Sequence, residues 1–207
     1  MSDITAERFE KDTAEHEMTV VREDGLYRHL RFKRPDQGEY WFDLVTWPYN
    51  LVVNGDMGSF HFSRVGSDTQ DMFRLFRNSG AGRRINPDYW AQKLCVGRSD
   101  AEEYSQAKFR QVIAEQVEGD RVLSALVKTE ILDSDDTSYE EGARNLLDSF
   151  KHEGFRFTDT WEFNFRDWTH HYRWCCHAIV WGIRQYDAAK VPAPVPALSA
   201  AAEAVAE

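Results

Sequence analysis

The sequence predicts an α+β fold: a five-stranded antiparallel β-meander comes first, and several helices then pack over it. Three observations predict this. Between Met18 and Arg64 short runs of alternating apolar and polar residues are separated by Gly, Pro and Asp turns, the pattern of hairpin-linked strands. From Ser67 onward the apolar spacing switches to that of helices. Finally, Trp168 to Tyr186 is apolar around most of a helical circumference, which predicts a long helix buried against the sheet.

The elements follow in order. Residues 1–17 form a polar segment whose Ile4, Ala6, Phe9 and Ala14 suit a short, weakly amphipathic helix. Met18 to Arg22 reads as a strand, and Glu23-Asp24-Gly25 as its hairpin turn. In the partner strand, Leu26 to Lys33, Leu26, Arg28, Leu30 and Phe32 face one side and Tyr27, His29 and Arg31 the other. Pro35-Asp36-Gln37-Gly38 turns the chain into a third strand, Tyr40 to Trp47, which Pro48 ends. Leu51 to Asn54 and Ser59 to Arg64 form a hairpin around Gly55-Asp56-Met57-Gly58.

Met72, Phe73 and Phe76 then make a helical stripe behind a Ser67/Asp68 cap, with Gln70 in the capping-box position. A loop, Asn78 to Arg84, leads to a helix capped by Asn86 with Pro87 in its first turn. Ser105 opens a helix carrying Phe109, Val112, Ile113 and Val117, and Gly119 breaks it before Leu123 and Leu126. Ser138 with Glu141 forms another capping box ahead of Leu146, Leu147 and Phe150, and Gly154 suits the position just past that helix. Asp167 caps the last helix, along which His170, Arg173, His177 and Arg184 line up as the one polar stripe. Residues 18–188 thus form a single domain, with the meander in 18–64 and mainly helices in 67–188. Residues 189–207, rich in Ala and Pro, have little to bury and read as a disordered tail.

Composition narrows the function classes. Seven Trp residues supply a large aromatic core. No apolar run approaches the roughly 18 residues that a membrane-spanning helix needs, and residues 1–17 hold no apolar stretch fit for a secretory signal. Three cysteines, two of them adjacent, argue against a disulfide framework and for a reducing compartment, the cytoplasm. Net charge is −10. Residues 1–98 carry 15 acidic and 14 basic side chains, whereas residues 99–207 carry 20 and 11, so the second half is a poor nucleic-acid surface. Its densest acidic stretch holds Glu130, Asp133, Asp135, Asp136, Glu140 and Glu141, which suits a basic protein partner.

Chemistry has three further candidate locations. On the polar side of the meander, His29, His61, Asp43 and Asp56 are of types that serve acid–base work if they converge; no H-x-H or H-x-x-x-H spacing points to a metal there. Arg74, Arg77, Arg83 and Arg84 flank Gly80 and Gly82, a combination able to hold a phosphate or carboxylate, and this segment is the one through which nucleic acid would bind. His171, Cys175, Cys176 and His177 lie on the last helix, where core packing is the better reading than a metal site, since four ligands are not at hand. No cofactor or metal is implied, and no Walker loop, nucleophile elbow, zincin helix or dinucleotide fingerprint is present.

Two stretches carry a resemblance. One is Tyr40-Trp41-Phe42-Asp43-Leu44-Val45-Thr46-Trp47-Pro48 with Gly55-Asp56-Met57-Gly58 and Asp71-Met72-Phe73; the other runs from Trp174-Cys175-Cys176-His177 to Gln185-Tyr186-Asp187. Together they resemble a family of uncharacterised proteins of about this length encoded by bacteriophages and prophages. The resemblance implies a phage context in a bacterial cytoplasm and brings no catalytic residues. With the acidic second half, it leads to the expectation of a non-enzymatic phage accessory protein that binds a host or phage macromolecule, blunting a host defence being one form of such binding. The alternative expectation is a small enzyme or nucleotide- or anion-binding protein using the meander's polar face or the arginine loop.

Overall fold

Tight turns decide the topology. Gly25, at φ 59°, closes strand β1 (Glu17–Asp24) onto β2 (Tyr27–Lys33), and Gly58, at φ 95°, closes β4 (Asn50–Gly55) onto β5 (Gly58–Ser63). Both angles lie where glycine meets no steric penalty. β3 (Phe42–Trp47) pairs with β2 on one side and β4 on the other, so the antiparallel strands lie in chain order. A sixth strand, β6 (Leu94–Val96), extends the expected five-stranded meander beyond β5. The computed structural model describes residues 4–36, 38–77 and 85–190. The expected loop at 78–84, with Arg83 and Arg84, and the tail beyond 190 lie outside the described residues.

Alternation gives the sheet two unlike faces. Leu30, Phe32, Phe42, Leu44, Leu51, Val53, Phe60 and Phe62 all point inward and are almost wholly buried. Helices α1 (Ala6–Asp12), α2 (Met72–Arg77) and α3 (Pro87–Ala91) contribute Phe9, Met72, Phe73, Phe76 and Trp90 to the same core. The last helix, α8 (His170–Lys190), is the centre of this layer: Tyr172, Trp174, Cys175, Cys176, Ala178, Ile179 and Ile183 are all buried. The expected central helix is therefore found, and Cys175 and Cys176 pack as core. It extends to Lys190, taking in the first two residues of the predicted tail.

Several caps differ from the sequence reading. Helix α2 begins at Met72 rather than behind Ser67 and Asp68, because Tyr49 N donates to the Gln70 carbonyl at 2.8 Å and holds that stretch extended; Asp71 then accepts from Phe73 N at 3.1 Å. Asn86 does cap α3, accepting from Tyr89 N at 2.9 Å. Thr169, not Asp167, caps α8, its hydroxyl accepting from Tyr172 N at 3.2 Å.

A second, separate core occupies residues 102–168. After α4 (Arg98–Ala101), strand β7 (Glu102–Tyr104) leaves the sheet layer, and β8 (Arg166–Trp168) returns antiparallel beside it, with Glu102 opposite Trp168 and Tyr104 opposite Arg166. Between them α5 (Gln106–Gln116), α6 (Arg121–Val127) and α7 (Glu140–Ser149) enclose Phe109, Ile113, Val127, Ile131, Leu147 and Phe165. Ser138 belongs to a 3₁₀ turn, Asp135–Ser138, ahead of α7 and does not cap it. Gly154, at φ 87°, turns the chain in the short loop that pairs His152 with Phe155, some residues beyond the helix end it was expected to terminate. The chain thus carries a helical insertion on a two-stranded stem.

Candidate functional site

Strand alternation places His29 and Asp43 on the outer sheet face, and register brings them together. Arg31, opposite Asp43, donates to it through Nε and Nη2, both at 2.8 Å, and His29 Nε2 lies 3.0 Å from Asp43 Oδ2. Asp43 is only 5% exposed. Burial raises its carboxyl, but the bonds from Arg31 and His29 outweigh that and hold it below the ordinary carboxylate range. His61 is elsewhere. The row His29–Val45–Val52–His61 spans three strand spacings, about 14 Å at ~4.8 Å each, and His61 pairs with Asn50 Oδ1 at 2.8 Å beside the Trp47 ring. Asp56 sits at the β4–β5 turn and accepts from Tyr40 N at 3.0 Å. The four residues do not form one acid–base site, and both oxygens of Asp43 are already occupied.

The arginine segment is tied down on the other side. Arg77 makes a two-pronged bond to Asp187, at 2.8 and 2.7 Å, and a weaker one to Asp71, which also accepts from Arg28 at 2.9 Å. Arg28 in turn stacks on Phe73 and Tyr186. These pairs lock α2 to the C-terminal half of α8, so the Arg77 fork is spent on structure rather than offered to an anion. Arg74 is exposed in the last turn of α2. Sequence reading missed the carboxylate partner because Asp187 lies 110 residues from Arg77.

The acidic segment lies entirely in the insertion. Residues 102–168 hold 16 Asp and Glu against 8 Lys and Arg, a net of −8 out of the chain's −10. Some of this charge is internal: Glu140 accepts from Arg144 and Arg166, both at 2.9 Å, and Asp133 pairs with Lys128 at 2.6 Å. Asp135, Asp136 and Glu141 are exposed. Gly142 brings the acidic turn close to α7, since a Cβ there would stand 2.4 Å from the Asp136 carbonyl oxygen and 2.7 Å from the Tyr139 ring. Tyr139 itself is 51% exposed and donates to Asp136 Oδ1 at 3.3 Å.

Trp161 went unread in the sequence. It lies in the 3₁₀ turn Thr160–Glu162, packs beside α7 and is 73% exposed, the most exposed Trp, Tyr or Phe among the described residues. An open groove beside it is flanked by Asp148, Lys151, Arg156 and Asp159. Thr158 to Asn164 shows neither helical nor strand periodicity, so nothing in the sequence separates this Trp from the buried ones.

No protein-family model, curated protein or solved structure matches this chain. Among the described residues, no group of three His, Cys, Asp or Glu side chains is placed to share a metal, and no helix is long and apolar enough to cross a membrane. Burial raises the Cys175 and Cys176 thiols, which leaves them protonated and poor nucleophiles.

Four histidines give the fold a pH dependence. Burial lowers His16, His61, His170 and His177 below their ordinary value. Between the unfolded value, about 6.5, and the lower folded values, the unfolded chain binds more protons, so acidification favours unfolding. The urea midpoint is expected to fall as pH drops below about 6.5, and to fall again below about pH 4 as Asp43 and Glu140, both held low by their arginines despite burial, take up protons. A midpoint that stays constant between pH 7 and pH 5 would contradict the burial of these imidazoles.

Proposed function

We propose that this chain is a non-enzymatic phage accessory protein of the bacterial cytoplasm that binds a host or phage protein through its acidic insertion. Interference with a host defence is one form such binding takes. The observation that carries the reading is the segregation of charge: −8 of the net −10 sits on a subdomain with its own core and stem, together with the exposed Trp161 and Tyr139. Long-range attraction of this concentrated negative charge to a positive surface speeds encounter and selects a basic partner, while an exposed aromatic gives the buried anchor that dominates interface energy. The partner so described is a protein presenting Lys and Arg around an apolar socket. The outer sheet face supports an enzyme less well, because its one buried carboxylate is already saturated by Arg31 and His29.

Affinity capture from infected and uninfected bacterial lysate tests this. The unaltered chain is expected to retain a specific basic protein at about 0.1 M salt and to lose it near 1 M, where the Debye length shrinks to about 3 Å. The triple change Asp135→Asn, Asp136→Asn, Glu141→Gln is expected to reduce capture at least about tenfold, and Trp161→Ala by a similar factor, a loss of at least about 1.4 kcal/mol. Equal capture by all three proteins would refute the assignment.

A further inference from the structure

Trp161 and the acidic turn are joined by one side chain. Asp159, at φ 55°, bends the chain into the 3₁₀ turn that carries Trp161. Left-handed backbone of this kind is uncommon outside glycine and persists where neighbouring bonds over-determine it. Those bonds come from α7. The Thr160 hydroxyl donates to Asp148 Oδ1 at 3.0 Å, while Arg144 Nη1 donates to the Thr160 carbonyl at 3.0 Å and Nη2 to the Phe163 carbonyl at 3.3 Å. Trp161 is thus held in its exposed position by bonds on either side of it in the chain.

The same guanidinium reaches the acidic end of α7. Its Nε and Nη2 donate to Glu140 Oε1 at 3.2 and 2.9 Å, and it lies 4.8 Å over the buried ring of Phe165. Glu140 also accepts from Arg166 of β8, so one node ties the first turn of α7, the Trp161 turn and the stem. A planar fork can hold a carboxylate and two carbonyls at once; a lysine ammonium in its place has no such fixed geometry. Arg144 and Asp148 stand four and eight residues past Glu140, about 6 and 12 Å along α7. The Trp161 turn is pinned between them, one to two helical turns from the acid. Side chains on one face of a partner helix recur at that same spacing. Such a helix would lay apolar side chains on Trp161 and extend its cations to Asp135, Asp136 and Glu141. Lys151 and Arg156 flank the far end of the groove, so those cations belong at the end nearer Asp136. We propose that Arg144 is the positioning residue of this surface, setting Trp161 at a fixed distance from the acidic turn so that the insertion reads a basic amphipathic helix, an inference that rests on the insertion being the docking surface.

The probe is a fluorescent peptide helix with leucines along one face and lysines in its last two turns, titrated against the full chain by anisotropy. The unaltered chain is expected to bind it, and Trp161→Ala to bind it at least about tenfold more weakly. Arg144→Gln and Arg144→Lys are each expected to weaken binding at least about fivefold. Charge alone predicts otherwise: Gln removes a positive charge and would tighten binding of a basic peptide, and Lys keeps that charge. Thr160→Val, which removes only the bond to Asp148, is expected to lose less. In the Trp161→Ala background each change is expected to shift binding less than about twofold, because a residue acting through Trp161 then has nothing to position. Damage to the fold would instead multiply with the Trp161 loss. Binding by Arg144→Gln equal to that of the unaltered chain, or losses that multiply with Trp161→Ala, would overturn the positioning role and leave the docking surface standing. A peptide that does not bind the unaltered chain, or that binds the Asp135→Asn, Asp136→Asn, Glu141→Gln variant equally well, would remove the docking surface and the role of Arg144 with it.

Discussion

Replacing Trp174 by alanine is expected to destabilise the protein by about 3–5 kcal/mol, the cost typical of emptying a buried tryptophan site. Trp174 is fully buried on α8 and ties it to α1, to β3 and to the turn before β3: its ring lies 4.9 Å from Phe9 of α1, 5.6 Å edge-on from Phe42 of β3, and 6.0 Å from the stacked ring of Tyr40. No neighbour can close the gap without breaking one of those contacts. Against a total stability of roughly 5–15 kcal/mol, the loss lowers the melting temperature by on the order of 10 °C. Trp174→Phe is expected to lose much less. It keeps most of the aromatic contact and removes an indole N–H that finds no acceptor among the described residues. Thermal and urea unfolding of the two variants measure the difference, and equal losses would show that the ring packing is not what matters there.

Gly182→Leu is the second large effect. Gly182 is where α8 rests most closely on the sheet: a Cβ there would stand 2.7 Å from Leu44 Cδ1 and 3.1 and 3.2 Å from the Phe32 ring. A leucine has no space and must lift the helix from β2 and β3, at a cost of about 3 kcal/mol, the upper end of overpacking effects. Gly182→Ala meets the same neighbours with a single carbon, and its better helix propensity, worth about 1 kcal/mol, offsets part of the strain. Chemical denaturation should therefore rank the leucine variant well below the alanine variant. A leucine variant as stable as the unaltered chain would mean that α8 does not seat here.

The same helix shows what the sequence makes legible. An apolar pattern around most of its circumference has one physical solution, burial against a sheet, and α8 is found there. The meander was readable because a period of two, interrupted by Gly25 and Gly58, admits few pairings. Beyond that, local signals ran out. Leu94-Cys95-Val96 is too short to show alternation, and Glu102-Glu103-Tyr104 becomes a strand only because Arg166-Asp167-Trp168 returns beside it. The Ser67 to Gln70 capping pattern was satisfied locally but lost to a tertiary bond between Tyr49 and Gln70.

The candidate sites divide in the same way. Alternation put His29, Arg31 and Asp43 on one face, and register then joined them; the same register carried His61 away, which alternation alone has no means of showing. Composition marked the acidic segment, yet only the paired stem of β7 and β8 makes it a separate charged body. The exposure of Trp161 depends on which elements fail to cover it among the described residues. Such absences leave no trace in a sequence.

Site-specific photo-crosslinking tests the binding reading most directly. A benzophenone amino acid placed at Trp161 in the insertion, and separately at Tyr27 on the outer sheet face, would be irradiated in bacterial lysate at low salt. The expected result is a discrete protein adduct from position 161, lost at high salt and in the Asp135→Asn, Asp136→Asn, Glu141→Gln background, with none from position 27. An adduct from position 27 alone, or one from 161 that survives removal of the acidic charges undiminished, would contradict the acidic insertion as the docking surface.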